Sequence, residues 1–142
     1  MSREELLDRI ARHVPFDDTE REMTQRLLAF VEAHEDCFRR SLRTGHLTGS
    51  AWIVDRTRRR ALLVHHKRLD RWMQPGGHWE QDDSLLETAR REALEETGAT
   101  SLRALGEDIF DVDVHPIPAR GAEPAHFHYD VRFLFEADPD EP

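Results

Sequence analysis

Residues 77–99 read GHWEQDDSLLETARREALEETGA, and the second half of this stretch carries the clearest helical pattern in the chain. Ser84 is a favoured helix N-cap, and Glu87 three residues later completes a capping box. Gly98 is placed to end the helix in a left-handed turn. The spacing predicts a helix over 84–97. Leu85, Leu86, Ala89 and Ala93 form its apolar stripe. Glu92, Glu95 and Glu96 fall at i, i+3 and i+4, on one face at the margin of that stripe. Carboxylates gathered this closely repel one another and weaken an isolated helix, so something must offset them. Hard oxygen ligands suit Mg²⁺ or Mn²⁺. The competing reading is an acidic solvent face whose repulsion Arg90 and Arg91 relieve.

Residues 71–83, just before the helix, read as a loop centred on Pro75, Gly76 and Gly77. Gly77 is followed by five residues and Asp83, then by seven more and the run from Arg91 to Ala99 (REALEETGA). This loop and helix together resemble the Nudix box, which has Glu where Asp83 stands here. Asp83 keeps the charge with a shorter reach. The resemblance covers 23 of 142 residues. It implies an α/β fold, the Nudix α/β/α sandwich with a mixed β-sheet. It implies hydrolysis of a nucleoside diphosphate linked to another group, assisted by Mg²⁺ or Mn²⁺. Glu95 and Glu96 would be the main metal ligands, with the Gly76 carbonyl as a further one. Glu92 would be a ligand or the base that orients water. Arg91 belongs to the same catalytic motif, and pairing with loop carboxylates such as Glu80 would hold the loop on the helix. Family domains usually continue with another strand and a C-terminal helix, so two readings stand here: a catalytic domain truncated at its C-terminus, or only the ordered part of one. A further ligand glutamate often follows such a strand, and Glu136 and Glu141 are its candidates.

Working outward, residues 50–55 and 60–66 read as two strands joined by the basic turn Arg56–Arg60. Further strands are expected near 108–115 and 126–136. On the last, Phe127, Tyr129, Val131, Phe133 and Phe135 alternate with His126, His128, Asp130 and Arg132. On the one before, Phe110, Val112 and Val114 alternate with Asp111, Asp113 and His115. If the two strands pair, their polar faces form one patch. Three readings compete for it: a wet sheet face, a substrate floor, and a transition-metal site made by His126, His128 and a carboxylate. The substrate floor is preferred, because His-X-His-X-Asp-X-Arg is unusual on a merely solvated strand. The metal site ranks last, because strand neighbours two apart do not fix a tetrahedron. His65 and Lys67 are placed to meet phosphate. Trp72 either stacks on a base or packs the loop, and packing is expected.

The first 45 residues read as helical and make an N-terminal extension (1–45) packed on a catalytic domain (46–142). Ser2 with Glu5 and Thr19 with Glu22 have capping-box spacing. Leu6, Leu7, Ile10, Ala11 and Val14 form one stripe, and Met23, Leu27, Phe30, Val31 and His34 another. Such helices either cover an edge strand or mediate a homodimer. The formal charge of −9 argues against a nucleic-acid partner, though not against a nucleotide held through a metal. No apolar run approaches the ~20 residues of a membrane span. One cysteine, Cys37, excludes an internal disulfide. With a polar start, the chain is expected to be cytoplasmic. Two further functions remain in play: a catalytically silent nucleotide-binding module, and an RNA 5′-end pyrophosphohydrolase that uses the Arg56–Arg60 turn.

Overall fold

A computed structural model describes residues 3–38, 45–66, 71–80, 82, 84–119, 121–122 and 124–140. The expected cap Ser2, the box residue Asp83, Lys67 and Glu141 lie outside them. Two N-terminal helices, α1 (Arg3–Arg12) and α2 (Asp18–Ala33), precede strand β1 (Gly45–Val54). Short strands β2 (Ala61–Leu62), β3 (Val64–His66), β4 (Arg71–Met73) and β5 (Gly76–His78) lead to helix α3 (Leu85–Thr97). Strands β6 (Arg103–Ala104), β7 (Asp111–Ile117) and β8 (His126–Glu136) complete the order.

The sheet is mixed. β1 and β8 run parallel over ten residue pairs, from Gly45 opposite Phe127 to Val54 opposite Glu136. The outer edge of β1 is shared by β5 and β2, and that of β8 by β7 and β6, all antiparallel. β3 and β4 form a separate hairpin. Because side chains alternate along a strand, Leu47, Ala51, Ile53, Val131, Phe133 and Phe135 share one face. That face joins Leu6, Ile10, Leu27, Phe30 and Val31 of the N-terminal helices and Leu85, Ala89 and Ala93 of α3 in one apolar cluster. Gly49 sets how closely α3 lies on the sheet, since a Cβ there would come within 2.5 Å of the Leu85 carbonyl oxygen.

Helix α2 covers the open edge of β7. The Glu20 carboxylate accepts from the Val112 amide at 2.9 Å, and Met23 Sδ accepts from the Val114 amide at 3.3 Å. An exposed edge would otherwise invite pairing with another chain. The Glu20 side chain is only 5% exposed and also lies 2.8 Å from His13 Nε2. Among the described residues, no helix is long and apolar enough to cross a membrane.

Several expectations are corrected. The N-cap of α2 is Asp17, which accepts from the Glu20 amide, rather than Thr19. Helix α2 ends at Ala33, and residues 34–38, expected to be helical, are not. Val14 is 84% exposed, because α1 stops at Arg12 and no longer aims it inward. Phe110 precedes β7 and is exposed, as is Phe127 at the start of β8, where Arg26 lies 4.8 Å over its ring. The stretch 60–66 is divided between β2 and β3, and the expected loop 71–83 contains β4 and β5. Strands of two or three residues leave no period to read.

Candidate active site

The α3 helix begins and ends as its sequence requires. The Ser84 side chain accepts from the Glu87 amide, and Gly98 closes the helix at φ 72°. The Glu87 carboxylate turns instead to Arg90, 3.2 Å away, and Arg90 lies over the Phe135 ring. Arg90 is thus directed away from the glutamate cluster. β5 brings Gly76 and Gly77 against the helix face that carries the glutamates. The Gly76 amide donates to the Glu96 carboxylate, and Glu96 also shares a hydrogen bond with Glu92. Any Cβ on Gly77 would stand 2.4 Å from Glu92 Oε1, so only glycine leaves room for that carboxylate.

Arg91 ties the loop to the helix. Its Nε and Nη2 reach the two Asp82 oxygens at 2.9 and 3.0 Å, and Nη2 also donates to the His78 carbonyl at 3.1 Å. Nη1 donates to Glu92 at 3.0 Å and lies 3.7 Å from both Glu80 and Glu95. Asp82, more than the expected Glu80, is the loop partner. This hydrogen bonding holds the Asp82 carboxyl below the usual carboxylate range and raises the Arg91 guanidinium above its own.

One guanidinium cannot cancel this much negative charge. Burial, then the hydrogen bond and charge of Glu92, push the Glu96 carboxyl up to about 7. Two unit charges 4 Å apart repel by about 4 kcal/mol at an effective dielectric of about 20. Arg91 pairs with Glu92 at 3.0 Å and approaches Glu95 at 3.7 Å, but among the described residues it forms no ion pair with Glu96, so it does not balance the Glu92–Glu96 repulsion. The donor set is all hard oxygen, and the group therefore fits a divalent cation of the Mg²⁺ type.

The polar faces of β7 and β8 do join, with Asp111 opposite Arg132, Asp113 opposite Asp130 and His115 opposite His128. An open cleft of about 610 Å³ is lined by Gly76, Gly77, His78, His115, His128, Asp130, Arg132 and Trp72, among others. A wet sheet face does not describe its Asp130 end, because Asp130 is 5% exposed. Arg132 is committed to carboxylates: Nε reaches Asp130 at 3.0 Å, Nη1 reaches Asp111 at 2.8 Å and Nη2 reaches Asp113 at 3.4 Å. Thr48 and Ser50 hydroxyls also donate to Asp130, at 2.8 and 2.6 Å. The floor is thus acidic at that end, better suited to donors of a base or sugar than to phosphate. The Asp113 hydrogen bond raises His115, while burial and then the neighbouring His78 push His128 down to about 3.

Trp72 is 68% exposed and stands against the ring of His65, which corrects the expectation that it packs the loop. His65 and His126 are not among the cleft-lining residues. The His126 ring packs beside those of His46 and His128, with centroids 4.4 and 5.1 Å away. Glu136, a candidate further ligand, is instead held by Arg103 and Arg58. The sequence reading missed His46 and His78, which the register of β1, β5 and β8 brings beside His128.

The sequence profile described as the NUDIX domain matches residues 46–142. Similar solved structures include an Ap4A hydrolase of C. elegans, at 20% identity over 67% of this chain and 70% of that one, with a TM-score of 0.43. A bifunctional NMN adenylyltransferase/ADP ribose pyrophosphatase of Francisella tularensis, complexed with AMP and Mn ion, is 22% identical, with a TM-score of 0.44. That match covers 84% of this chain and 37% of the other. A MutT/nudix family protein of Enterococcus faecalis is 18% identical over the whole chain and 51% of its own length, with a TM-score of 0.40. The chain thus spans about half or less of the length of these last two proteins. A comparison with curated proteins gives no match.

Proposed function

The chain belongs to the NUDIX domain family, and from that premise we propose that it is a pyrophosphohydrolase of small nucleotides, cleaving a nucleoside diphosphate linked to another group. The family generally hydrolyses phosphoric anhydrides with divalent metals such as Mg²⁺ or Mn²⁺. The observation that carries the reading here is the convergence of Glu92 and Glu96 on the Gly76–Gly77 bend, under a loop clasped by Arg91. Glu92, Glu95 and Glu96, with the Gly76 carbonyl, would hold Mg²⁺ or Mn²⁺, which when bound neutralises phosphate charge and acidifies the attacking water.

The remaining work belongs to the chain's own groups. The Gly76 amide aims Glu96, and Gly77 admits the Glu92 carboxylate to the bend. Arg91 acts through position, fixing the loop at the helix face. Trp72 at the cleft mouth offers a stacking plane for a nucleobase, and Asp130 and His128 on the floor offer acceptors to base or ribose donors. Arg132 keeps the aspartates at the far end in place. The His126 ring packs against that of His128, and His65 backs Trp72. The RNA reading would need the Arg56–Arg60 turn beside the substrate, and the residues lining the cleft include none of that turn. Within that turn, Arg60 pairs with Asp55 and Arg58 reaches Glu136.

The test is incubation of the purified chain with Mg²⁺ or Mn²⁺ and a panel of nucleoside triphosphates, nucleotide sugars and dinucleotides, with nucleotide products followed by chromatography. Metal-dependent release of a nucleoside monophosphate or of pyrophosphate supports the reading. Retention of nucleotides without turnover favours the silent binding module.

A further inference from the structure

Away from the glutamates, the polar face of the sheet gathers imidazoles from separate strands. The register of β1 against β8 sets His46 opposite His128, and β7 sets His115 on the other side of His128. His78 comes from β5, whose pairing with β1 places it opposite Thr48. Nε2 of His78 and Nε2 of His128 are 3.2 Å apart. One ring nitrogen from each of His46, His78 and His128 lies within 4.8 Å of the other two.

These spacings have a chemical meaning. A tetrahedral zinc ion with Zn–N bonds of about 2.0–2.1 Å separates its ligand nitrogens by about 3.3–3.4 Å. The His78–His128 edge already stands near that value, and the other edges close by no more than about 1.5 Å. The donor set is all imidazole, which selects borderline ions such as zinc and cobalt over the hard cations of a carboxylate site. We infer that His46, His78 and His128 form a three-histidine site for a zinc-class divalent ion, distinct from the carboxylate site on α3. Three protein ligands leave a fourth position for water or another small ligand. His78 and His128 both line the cleft, so this position opens toward it. His46, 5% exposed, is the buried member of the three.

The site requires each coordinating nitrogen to be unprotonated, with any ring proton on the other nitrogen. An ordinary hydrogen bond between His78 and His128 is the alternative use of the same pair. Metal binding separates the two uses, and it does so whether or not the chain hydrolyses nucleotides.

Tag-free protein, titrated with Zn²⁺ in millimolar Mg²⁺ to occupy the carboxylates, is expected to take up one zinc ion per chain. His78→Gln and His128→Gln each weaken that binding at least tenfold. Glu96→Gln leaves it within twofold. Co²⁺ in place of zinc is expected to give the intense visible bands of a tetrahedral site in the parent, and to lose them in both histidine variants. Metal-free far-UV spectra of each variant check that it is folded. Absence of stoichiometric zinc, zinc retained at full affinity in both folded histidine variants, or zinc lost in Glu96→Gln would each overturn the site. Should both histidine variants fail to fold, the cobalt spectrum of the parent decides, and octahedral bands would refute it.

Discussion

Arg91 grips Asp82 with two N–H···O bonds, Nε to Oδ1 at 2.9 Å and Nη2 to Oδ2 at 3.0 Å, across nine residues of sequence. A lysine cannot reproduce this fork. Arg91→Lys is therefore expected to cost about 1.5–3 kcal/mol of stability, the range for hydrogen bonds to charged groups. It should also reduce kcat at least tenfold by loosening the loop. Urea unfolding and steady-state kinetics check the two effects.

The same pair sets a pH dependence. Arg91 holds the Asp82 carboxyl below its usual value of about 4. A depressed folded-state pKa contributes stability above the unfolded value and loses it as pH falls through the folded one. Asp82→Asn is thus expected to be less stable than the parent at pH 7. The gap should narrow below about pH 4 and close once the parent carboxyl is protonated. Thermal midpoints across pH 2.5–7 test this, and a gap that does not vary with pH would count against the clasp.

Glu96 gives the opposite slope. Its carboxyl, raised to about 7 in the metal-free protein by burial and by Glu92, keeps its proton after an unfolded glutamate has released one. Metal-free stability should therefore fall as pH rises from about 4.3, the ordinary glutamate value, toward 7. Mg²⁺ competes with the proton, so it should raise the thermal midpoint more at pH 8 than at pH 5. Glu96→Gln is expected to remove both the slope and the magnesium effect.

Two glycine substitutions should separate function from folding. A Cβ at Gly77 meets the movable end of Glu92 at 2.4 Å, whereas one at Gly49 meets the backbone oxygen of Leu85 at 2.5 Å. Gly77→Ala should weaken Mn²⁺ binding at least tenfold with little change in thermal midpoint. Gly49→Ala should lower the midpoint markedly, because α3 itself must move. Differential scanning calorimetry beside a metal titration distinguishes them.

Trp72, 68% exposed at the cleft mouth, contributes little to the core. Base stacking on an aromatic ring is worth about 1–3 kcal/mol, so Trp72→Ala should raise KM by about five- to 150-fold. With uniform binding lost, kcat should be unchanged. A drop in kcat at constant KM would remove Trp72 from substrate binding.

What the sequence made legible follows the range of the interactions. Ser84, the Glu92–Glu95–Glu96 spacing and Gly98 act within one helix, so their periodicity could be read directly. The alternation from His126 to Arg132 was equally local. His46 and His78 escaped notice because only strand register brings them to His128, and β5 is too short to announce itself as a strand. Asp82 was passed over for Glu80 because a loop's path decides which carboxylate reaches Arg91. The commitment of Arg132 to three aspartates likewise depends on the β7–β8 register.

The central claim is that the α3 glutamates seat a divalent cation at the glycine bend. Electron paramagnetic resonance of Mn²⁺ titrated into the folded protein measures this without any substrate. The parent should bind Mn²⁺ saturably, Mg²⁺ should displace it, and both Glu95→Gln and Glu96→Gln should weaken it at least tenfold while remaining folded. Equal Mn²⁺ binding by the parent and both variants would contradict the claim.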